Sequence, residues 1–588
     1  MIWVIVFSFL AYTIFVAWFS WYKTRGTDMS STDGYFLGGR SLTGIVIASS
    51  LILTNLSTEQ MVGLNGQAFG ESMVVMAWEV TAPLALIFMA FVFLPRYLKA
   101  GIVTIPDFLE QRYDLRTRQI VSVLFLLGYA VAYLPTVLYS GALVLDSIFS
   151  ISTIGSLSPF MTVLIVSFLI GAIGCGYVVF GGLRATAISD TINGIGLVIG
   201  GLLIPFLALL VLGGGSFMDG IDKLLTANPA KLNAIGSHNS SVPWTVLLTG
   251  LLFNNLFYWC TNQSIIQRTL GAENLAEGQK GVLFAGMFKI FGATFLVVPG
   301  IIAFLLYGNT LPNADMAFPT LVINVLPLAL SGFIAAVLFG AILSSFNGAL
   351  NSSITLFTLD IYRPIFRPNA KEFELVKVGR VFAALLATIS VVIAPFIIFA
   401  PSGLFYYLQE MNGFYSLPII AMVMVGFFSK RVPANAPKVA IVVHVILYAL
   451  SKLILGHVNF LYVLTVLFPI NIFVMLIIGR LKPRETPFEL YNSNKVDLKP
   501  WKHAKAFSGL IIALMIGVYA FFSPIGVGKV ELEYSPISLI FMVGSILLLG
   551  ALFWFWRSTN RKLDPPTSPL DPKISPYGPT KKLVKEEG

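Results

Sequence analysis

Long apolar stretches dominate this chain, and short polar loops separate them. A helix that crosses the roughly 30 Å hydrocarbon core of a bilayer needs about 20 apolar residues. The pattern therefore predicts an all-α integral membrane protein with fifteen transmembrane helices. Their approximate ranges are 2–22, 41–68, 72–98, 119–148, 159–180, 185–213, 243–265, 281–307, 326–362, 375–400, 402–428, 439–456, 460–479, 506–523 and 535–556.

The second apolar stretch, Ile45 to Gly63, is interrupted by a polar segment. The sequence from Thr54 to Gln60 is Thr-Asn-Leu-Ser-Thr-Glu-Gln, in which six of seven residues are polar. Polar side chains cost free energy in hydrocarbon, and a broken helix is tolerated there only where it lines a cavity in protein. The segment predicts a discontinuous helix beside such a cavity. A polar contact between two unbroken helices is the alternative.

A similar polar segment, Phe253 to Gln263, lies five spans later, in the seventh span. Two interrupted helices at matching positions indicate an internal repeat. Because five is odd, the two repeats would run in opposite directions across the membrane. We predict an extra span and loop (1–40), a first five-helix repeat (41–213), an extracellular loop (214–242), a second repeat (243–428), additional spans (429–556) and a cytoplasmic tail (557–588).

The distribution of basic residues predicts the orientation. Of 38 Lys and Arg residues, 33 lie in the loops of one side and 3 in the loops of the other. Since cytoplasmic loops carry the excess of positive charge, the N-terminus is predicted outside and the C-terminus in the cytoplasm. The net charge of +10 therefore reflects membrane topology, and it needs no nucleic-acid partner.

Composition argues against a soluble enzyme. Only 11% of the residues are charged, against about 25% in soluble domains. The two cysteines, Cys175 and Cys260, lie in apolar segments, so they predict neither a disulfide nor a metal site. The sequence shows no metal cluster, nucleophile–base pair or phosphate-binding loop, and we expect no enzymatic activity.

The ninth span carries a candidate cation site. Ala341, Ser344 and Ser345 share one helical face by their i, i+3, i+4 spacing. Two hydroxyls and a carbonyl are hard, neutral ligands of the type that suits a small monovalent cation. Carbonyl groups freed at the first helix break, those of Leu53 and Leu56, could complete the shell. Serines that bond back to their own helix are the alternative interpretation.

Several other polar residues lie within predicted spans, namely Asn55, Glu59, Gln60, Glu79, Asp190, Asn255, Lys289, Gln409 and Glu410. A charge at mid-bilayer costs about 2.5–3.5 kcal/mol, so Glu79 and Lys289 should line a wet cavity or pair with each other. Amides, a carboxylate and an ammonium beside Trp78 and Tyr258 suit a neutral polyhydroxylated ligand. A purely structural ion pair is the alternative for Glu79 and Lys289, and structural pairing is equally open for Asp190.

Five stretches together resemble the sodium/solute symporter family, and within it the sodium–glucose cotransporters. They are Tyr35 to Leu42, Asn55 to Gln60, Gly181 to Asp190, Asn262 to Gly281 and Phe339 to Tyr362. The resemblance runs in family order across residues 1–523. It implies the leucine-transporter-like fold with inverted five-helix repeats, and transport by alternating access.

The resemblance also implies roles for individual residues. The sugar site would consist of Asn55, Gln60, Glu79, Asn255, Lys289 and Gln409. Tyr258 matches the family's inner-gate tyrosine beneath the sugar. The sodium site would comprise the carbonyls of Leu53, Leu56 and Ala341 with the hydroxyls of Ser344 and Ser345. Asp190 matches an acidic residue tied to sodium release or to a second sodium site.

The expected function is sodium-coupled uptake of a neutral sugar, a hexose such as glucose or galactose. Its expected partners are this sugar, the co-transported Na⁺ and the lipid bilayer, with the bacterial inner membrane as location. Two alternatives remain open: symport of another solute, such as inositol or a sugar acid, and a non-transporting sugar sensor. The sequence does not indicate an oligomeric state.

Overall fold

A computed structural model describes residues 2–24, 40–154, 156–311, 313–399, 404–456 and 458–529, with single positions between 543 and 557. Within this part, α-helices follow one another and the only β pairing consists of two isolated bridges, Leu42 with Ala272 and Asn274 with Asp497. The fifteenth predicted span and the predicted tail lie outside the continuously described residues. So do residues 35–39 of the first family-like stretch.

The α-helices are numbered here in chain order. They are α1 Ile2–Thr24, α2 Gly44–Asn55, α3 Thr58–Gly70, α4 Ala77–Val80, α5 Ala82–Phe88, α6 Leu94–Ala100, α7 Ile105–Arg112, α8 Leu115–Gly128, α9 Leu134–Phe149, α10 Ile151–Ile154, α11 Pro159–Leu212, α12 Phe217–Thr226, α13 Gly250–Cys260, α14 Gln263–Leu270, α15 Leu275–Leu296, α16 Val298–Tyr307, α17 Ala317–Val325, α18 Leu328–Thr355, α19 Glu372–Ile393, α20 Leu404–Asn412, α21 Ser416–Phe428, α22 Ala436–Ile454, α23 Phe460–Leu481 and α24 Ala504–Phe521. Short 3₁₀ or π-helical turns include Met73–Met76, Met89–Phe93, Tyr129–Tyr133 and Leu356–Phe366.

The membrane-spanning pattern agrees with the sequence. In the described residues, 11 helices are long and apolar enough to cross a membrane, and two bent pairs bring the number to 13. These 13 coincide with predicted spans. The seventh predicted span is made of two shorter helices, α13 and α14. The chain is thus a multi-pass membrane protein.

The stretch α11 is assigned as one 54-residue helix, although two spans and a loop at 181–184 were predicted. Its contacts show that the chain reverses direction there. Gly174 lies against Phe346, whereas Asn193 lies against Gly340 and Gly200 against Ile334. The first part therefore runs parallel to α18 and the second part antiparallel to it. Two apolar segments, Pro159–Val178 and Ile188–Leu212, form the two spans.

Helix α18 lies at the centre of the molecule. In its membrane-spanning stretch 94% of the residues are buried, and it packs against α1, α9 and α11. A helix that is buried on all sides can carry polar groups only where they find partners. Ser344 and Ser345 lie on this helix, so the predicted cation ligands are in the protein interior.

Three spans are broken. The axes of α2 and α3 differ by 56° at Leu56–Ser57, inside the predicted polar segment. The seventh span breaks at Thr261–Asn262, where the Asn262 side chain caps α14 by accepting a hydrogen bond from the Ser264 amide. The preceding polar residues 253–260 stay helical, so this break lies later than the polar pattern suggested. A third break, 44° between α20 and α21, was not predicted.

Arg112 anchors the end of α21 and provides a test of this packing. Its fully buried guanidinium donates to the carbonyls of Gly426 and Val432 at 3.1 Å and of Ser429 at 2.5 Å. These carbonyls lack helical partners because the helix ends there. We expect Arg112→Ala to lower the free energy of unfolding by about 2–3 kcal/mol, and Arg112→Lys to lose part of this amount.

Thermal unfolding of the purified protein in detergent measures the effect of Arg112. Arg116→Ala is the matched control because Arg116 is exposed on the neighbouring helix. Equal unfolding temperatures for Arg112→Ala and the control would show that the anchor contributes nothing to stability.

Candidate functional site

The break between α2 and α3 leaves backbone carbonyls without their regular helical partners. The Ser57 amide, which would pair with the Leu53 carbonyl in a continuing helix, donates to Asn55 at 3.0 Å. The Gln60 amide likewise donates to the Ser57 carbonyl at 3.1 Å, and does not follow the helical pattern to Leu56. The Leu53 and Leu56 carbonyls are therefore available for another partner. A cation is such a partner in broken transmembrane helices.

Helix α18 meets this break with its serine face. The Ser345 hydroxyl donates to the carbonyl of Thr54 at 3.2 Å, so it does not bond back to its own helix. The Ser344 hydroxyl is buried beside the Asp190 carboxylate. Ala341 lies one turn earlier and is fully buried. Ser345 thus contacts the helix break directly, through the Thr54 carbonyl, which was not among the predicted ligands; Ala341 and Ser344 lie within one turn of Ser345 on the same helix.

Asp190 lies next to this junction, within a polar group. Its carboxylate accepts a hydrogen bond from Ser50 at 3.2 Å and lies 3.9 Å from the guanidinium of Arg268. Arg268 in turn donates to Ser50 and to the carbonyl of Ser264. From the sequence Arg268 counted as a cytoplasmic loop residue, but it is only 1% exposed. Asp190 therefore has the structural partner that the sequence left open.

A second polar group surrounds a central cavity between the two main helix breaks. All six predicted sugar-site residues line it, together with Tyr258. The remaining lining residues are Trp78, Asn254, Trp259 and Phe405. The six come from α2, α3, α4, α13, α15 and α20, so the fold brings together residues that lie more than 350 positions apart.

The charged groups of this cavity satisfy each other. The ammonium group of Lys289 forms a buried ion pair with Glu79 and donates a hydrogen bond to the side-chain oxygen of Asn55. The Asn55 amide donates to the Tyr258 hydroxyl at 3.1 Å. Asn255 donates to Thr81 at 3.0 Å. A chain of contacts thus connects the cavity wall from α4 through α15 and α2 to α13, without net charge.

The cavity is narrow. The space between its side chains measures about 310 Å³, of which only about 20 Å³ can hold the centre of a water molecule. This suffices for one or two waters. The indole ring of Trp78 packs edge-on against Phe405 with a centroid distance of 5.3 Å. A ligand of sugar size therefore fits only when lining side chains move apart.

Helix α20 separates this cavity from a wide vestibule. Phe405 and Gln409 face the cavity, whereas Tyr406 and Glu410 face the vestibule. The space open to the centres of water molecules is about 700 Å³ in the vestibule and about 20 Å³ in the cavity. The vestibule is lined by residues 66–67, 70–71, 239–241, 313–315, 456 and 458–459, most of which lie in loops predicted to be external. At its rim, burial raises the pKa of Glu71, against the lowering effect of hydrogen bonds from Ser241.

Sequence reasoning missed three lining residues of the cavity. Asn254 could have been found by the rule that identified Asn255, because both are amides within a span. Trp259 and Phe405 carry no such signal, since aromatic residues in apolar helices pack equally well against lipid or protein.

These features can be compared with known proteins. Residues 35–440 match the model of the sodium:solute symporter family, which is more than two thirds of the chain. The chain belongs to this family. Sodium is accordingly the co-transported ion, and the protein is a sodium-coupled solute symporter. The predicted family membership is confirmed.

Similar proteins differ in their solutes. The chain is 49% identical to an uncharacterized symporter, YidK, of Escherichia coli K12 over 94% of this chain and 96% of that protein. It is 33% identical to a sodium/glucose cotransporter of Vibrio parahaemolyticus, covering 71% and 79% of the two chains. A human sodium/myo-inositol cotransporter is 30% identical, with 71% and 62% covered.

Solved structures support the fold. A Na⁺-coupled sialic acid symporter in a substrate-bound outward-open state superposes with a TM-score of 0.70 at 21% identity, over 83% of this chain and 99% of that chain. The nucleobase-cation-symport transporter Mhp1 gives a TM-score of 0.51 at 14% identity, over 81% and 99%. The predicted leucine-transporter-like fold is confirmed. Membership of a symporter family agrees with the expectation that the chain is not an enzyme.

Proposed function

We propose that this symporter takes up a neutral sugar, a hexose such as glucose or galactose, by alternating access. The central observation is the charge balance of the cavity. Glu79 and Lys289 neutralise each other, and the other polar groups of its wall are amides, a tyrosine and tryptophans. Amides and aromatic rings suit a ring-shaped polyol, whose hydroxyls both donate and accept hydrogen bonds.

Coupling would arise where α18 meets the first helix break. In the proposed sodium site the ion binds the carbonyls of Leu53, Leu56 and Ala341 with the hydroxyls of Ser344 and Ser345. An ion that bridges α2 and α18 would stabilise the bend of α2 and α3, and this bend places Asn55 and Gln60 at the cavity. Loss of the ion to the cytoplasm would loosen both helices and release the sugar. Asp190 could assist the release.

The path of the sugar would begin at the vestibule. Outward movement of α20 would part Phe405 from Trp78 and widen the cavity. On the opposite side, rupture of the bond between Tyr258 and Asn55 would open the way to the cytoplasm, as proposed for a gate tyrosine. This direction assumes the predicted orientation in a bacterial inner membrane and the predicted inverted-repeat boundaries.

Myo-inositol is the second candidate, since it is also a neutral polyol and a similar protein carries it in its name. A sugar acid is less well matched, because its carboxylate would need a cation and Lys289 is already paired with Glu79. Sialic acid, named for the sialic acid symporter of similar fold, represents this class.

A thermal-shift measurement tests the solute class. The purified protein in detergent would be heated with glucose, galactose, myo-inositol or sialic acid, in sodium and in potassium buffer. Since a ligand at 100 times its Kd stabilises a protein by about 2.7 kcal/mol, we expect a rise of several degrees with a hexose in sodium buffer only. A rise with myo-inositol or sialic acid alone would contradict the hexose proposal and leave the symporter assignment intact.

A further inference from the structure

Three fully buried polar atoms on residues that line the central cavity have neither a hydrogen bond nor an ion pair within the part of the chain that the structure describes. Among the described residues no hydrogen-bond partner exists for Oε1 of Gln60, Oδ1 of Asn254 and Nε1 of Trp78. These residues are 7%, 4% and 6% exposed, so bulk water does not satisfy them. An unpaired buried polar atom costs free energy, and native proteins keep few of them. Two acceptors and one donor on the cavity wall thus lack a partner in the described ranges, beside charges that cancel.

Asn254 owes its position to its place on α13. Neighbouring residues of an α-helix point about 100° apart. Asn255 accordingly reaches Thr81, whereas Asn254 reaches α20 and donates to Oε1 of Gln409 at 3.1 Å. This bond uses the amide nitrogen of Asn254 and leaves its oxygen for a ligand. The same bond holds the side chain of Gln409 in place through its oxygen, and it does not involve the amide nitrogen of Gln409.

Trp78 is held by its ring and not by its nitrogen. Its indole packs against Phe405 and lies nearly parallel to Phe460, at a centroid distance of 6.4 Å. Both contacts are made by ring carbons. The indole N–H is a donor only, so it can be satisfied only by an acceptor on a ligand or a water.

We propose that Asn254 and Trp78 determine solute specificity by direct hydrogen bonds to hydroxyl groups of the bound polyol. The Asn254 oxygen accepts from one hydroxyl, and the Trp78 N–H donates to the oxygen of another. The site therefore rejects analogues that lack either hydroxyl, because the protein atom is then left unpaired. The ion pair of Glu79 and Lys289 holds neighbouring side chains of the cavity wall in place, and because its charges cancel it does not select for charged solutes. This inference rests on the proposed uptake of a neutral sugar.

Competition by monodeoxy sugars tests the inference. Sodium-driven uptake of labelled hexose into proteoliposomes would be measured with hexoses that lack one hydroxyl each as inhibitors. In the wild type we expect at least two deoxy sugars to inhibit about tenfold more weakly than the parent sugar. Asn254→Ala should abolish this discrimination at one position, and Trp78→Phe should abolish it at another.

The choice of substitutions and a control keep the test decisive. Trp78→Phe preserves the aromatic packing and removes the N–H, and Asn254→Leu, which has a similar size and no acceptor, serves if the alanine variant does not fold. Asn471→Ala is the control, since Asn471 is a buried amide outside the cavity that contacts His444. Equal weakening of all sugars, or unchanged discrimination, would overturn the inference. Absence of hexose uptake in the wild type would instead refute the proposed function, and the inference with it.

Discussion

Neutralising Glu79 alone should destabilise this protein by about 3–5 kcal/mol and abolish uptake. In Glu79→Gln the Lys289 ammonium stays buried, only 1% exposed, without its carboxylate. Removal of one partner of a buried ion pair leaves an uncompensated charge, which costs this amount. Lys289→Met should destabilise the protein by a similar amount, because the Glu79 carboxylate is then buried without its cation. Uptake should fail in both variants. Lys289→Met removes the ammonium group that donates to Asn55, and Glu79→Gln removes the carboxylate that holds this ammonium group in place.

The double variant Glu79→Gln/Lys289→Met distinguishes a buried pair from two independent contributions. With both charges removed, its unfolding temperature should exceed that of either single variant, although it remains inactive. Lys280→Gln is the control, because it breaks a partly exposed pair with Glu277 and should cost at most about 1 kcal/mol. Additive losses in the double variant would contradict this description of the cavity.

Removal of the Ser345 hydroxyl should weaken sodium binding without a comparable loss of stability. Ser345 is fully buried and reaches across from α18 to the carbonyl of Thr54 at the break of the second span. The alanine variant lacks one of two side-chain ligands proposed for the ion. We expect the sodium concentration for half-maximal uptake to rise about ten- to a hundredfold, since one such interaction contributes about 1.4–2.8 kcal/mol.

Ser353→Ala is the matched control for Ser345. Ser353 is equally buried on the same helix, but its hydroxyl bonds back to the Ala349 carbonyl at 2.8 Å. This variant should keep the sodium dependence of the wild type. An unchanged sodium requirement in Ser345→Ala would show that the ion binds elsewhere.

Much of the fold follows from hydrophobic length and from polar residues in unexpected places. The break at Leu56–Ser57 was predicted because six polar residues in hydrocarbon need a cavity. The break after Asn412 was missed, although Gln409, Glu410 and the turn dipeptide Asn412–Gly413 form a comparable polar signal in the sequence. Burial was harder to foresee. Arg112 and Arg268 lie between predicted spans, where arginines are usually exposed. Only the tertiary contacts show that both are buried.

The candidate site also has features that the sequence predicts and features that it does not. Polar residues within spans were recognisable one by one, and the family resemblance grouped them around one sugar. That Glu79 pairs with Lys289 could be expected, because neither charge is tolerated alone. Which amide faces the cavity depends on helix rotation, which the sequence leaves free. Asn254 and Asn255 differ by one position, yet they contact different helices.

Accumulation against a gradient tests the central claim most directly. Proteoliposomes that contain the protein would be given labelled galactose or glucose with an inward sodium gradient, and with potassium in its place. One charge that moves through 100 mV supplies about 2.3 kcal/mol, enough for a roughly fiftyfold sugar gradient. We expect sodium-dependent accumulation well above equilibrium. Sugar that merely equilibrates, at equal rates in sodium and in potassium, would contradict sodium-coupled sugar uptake.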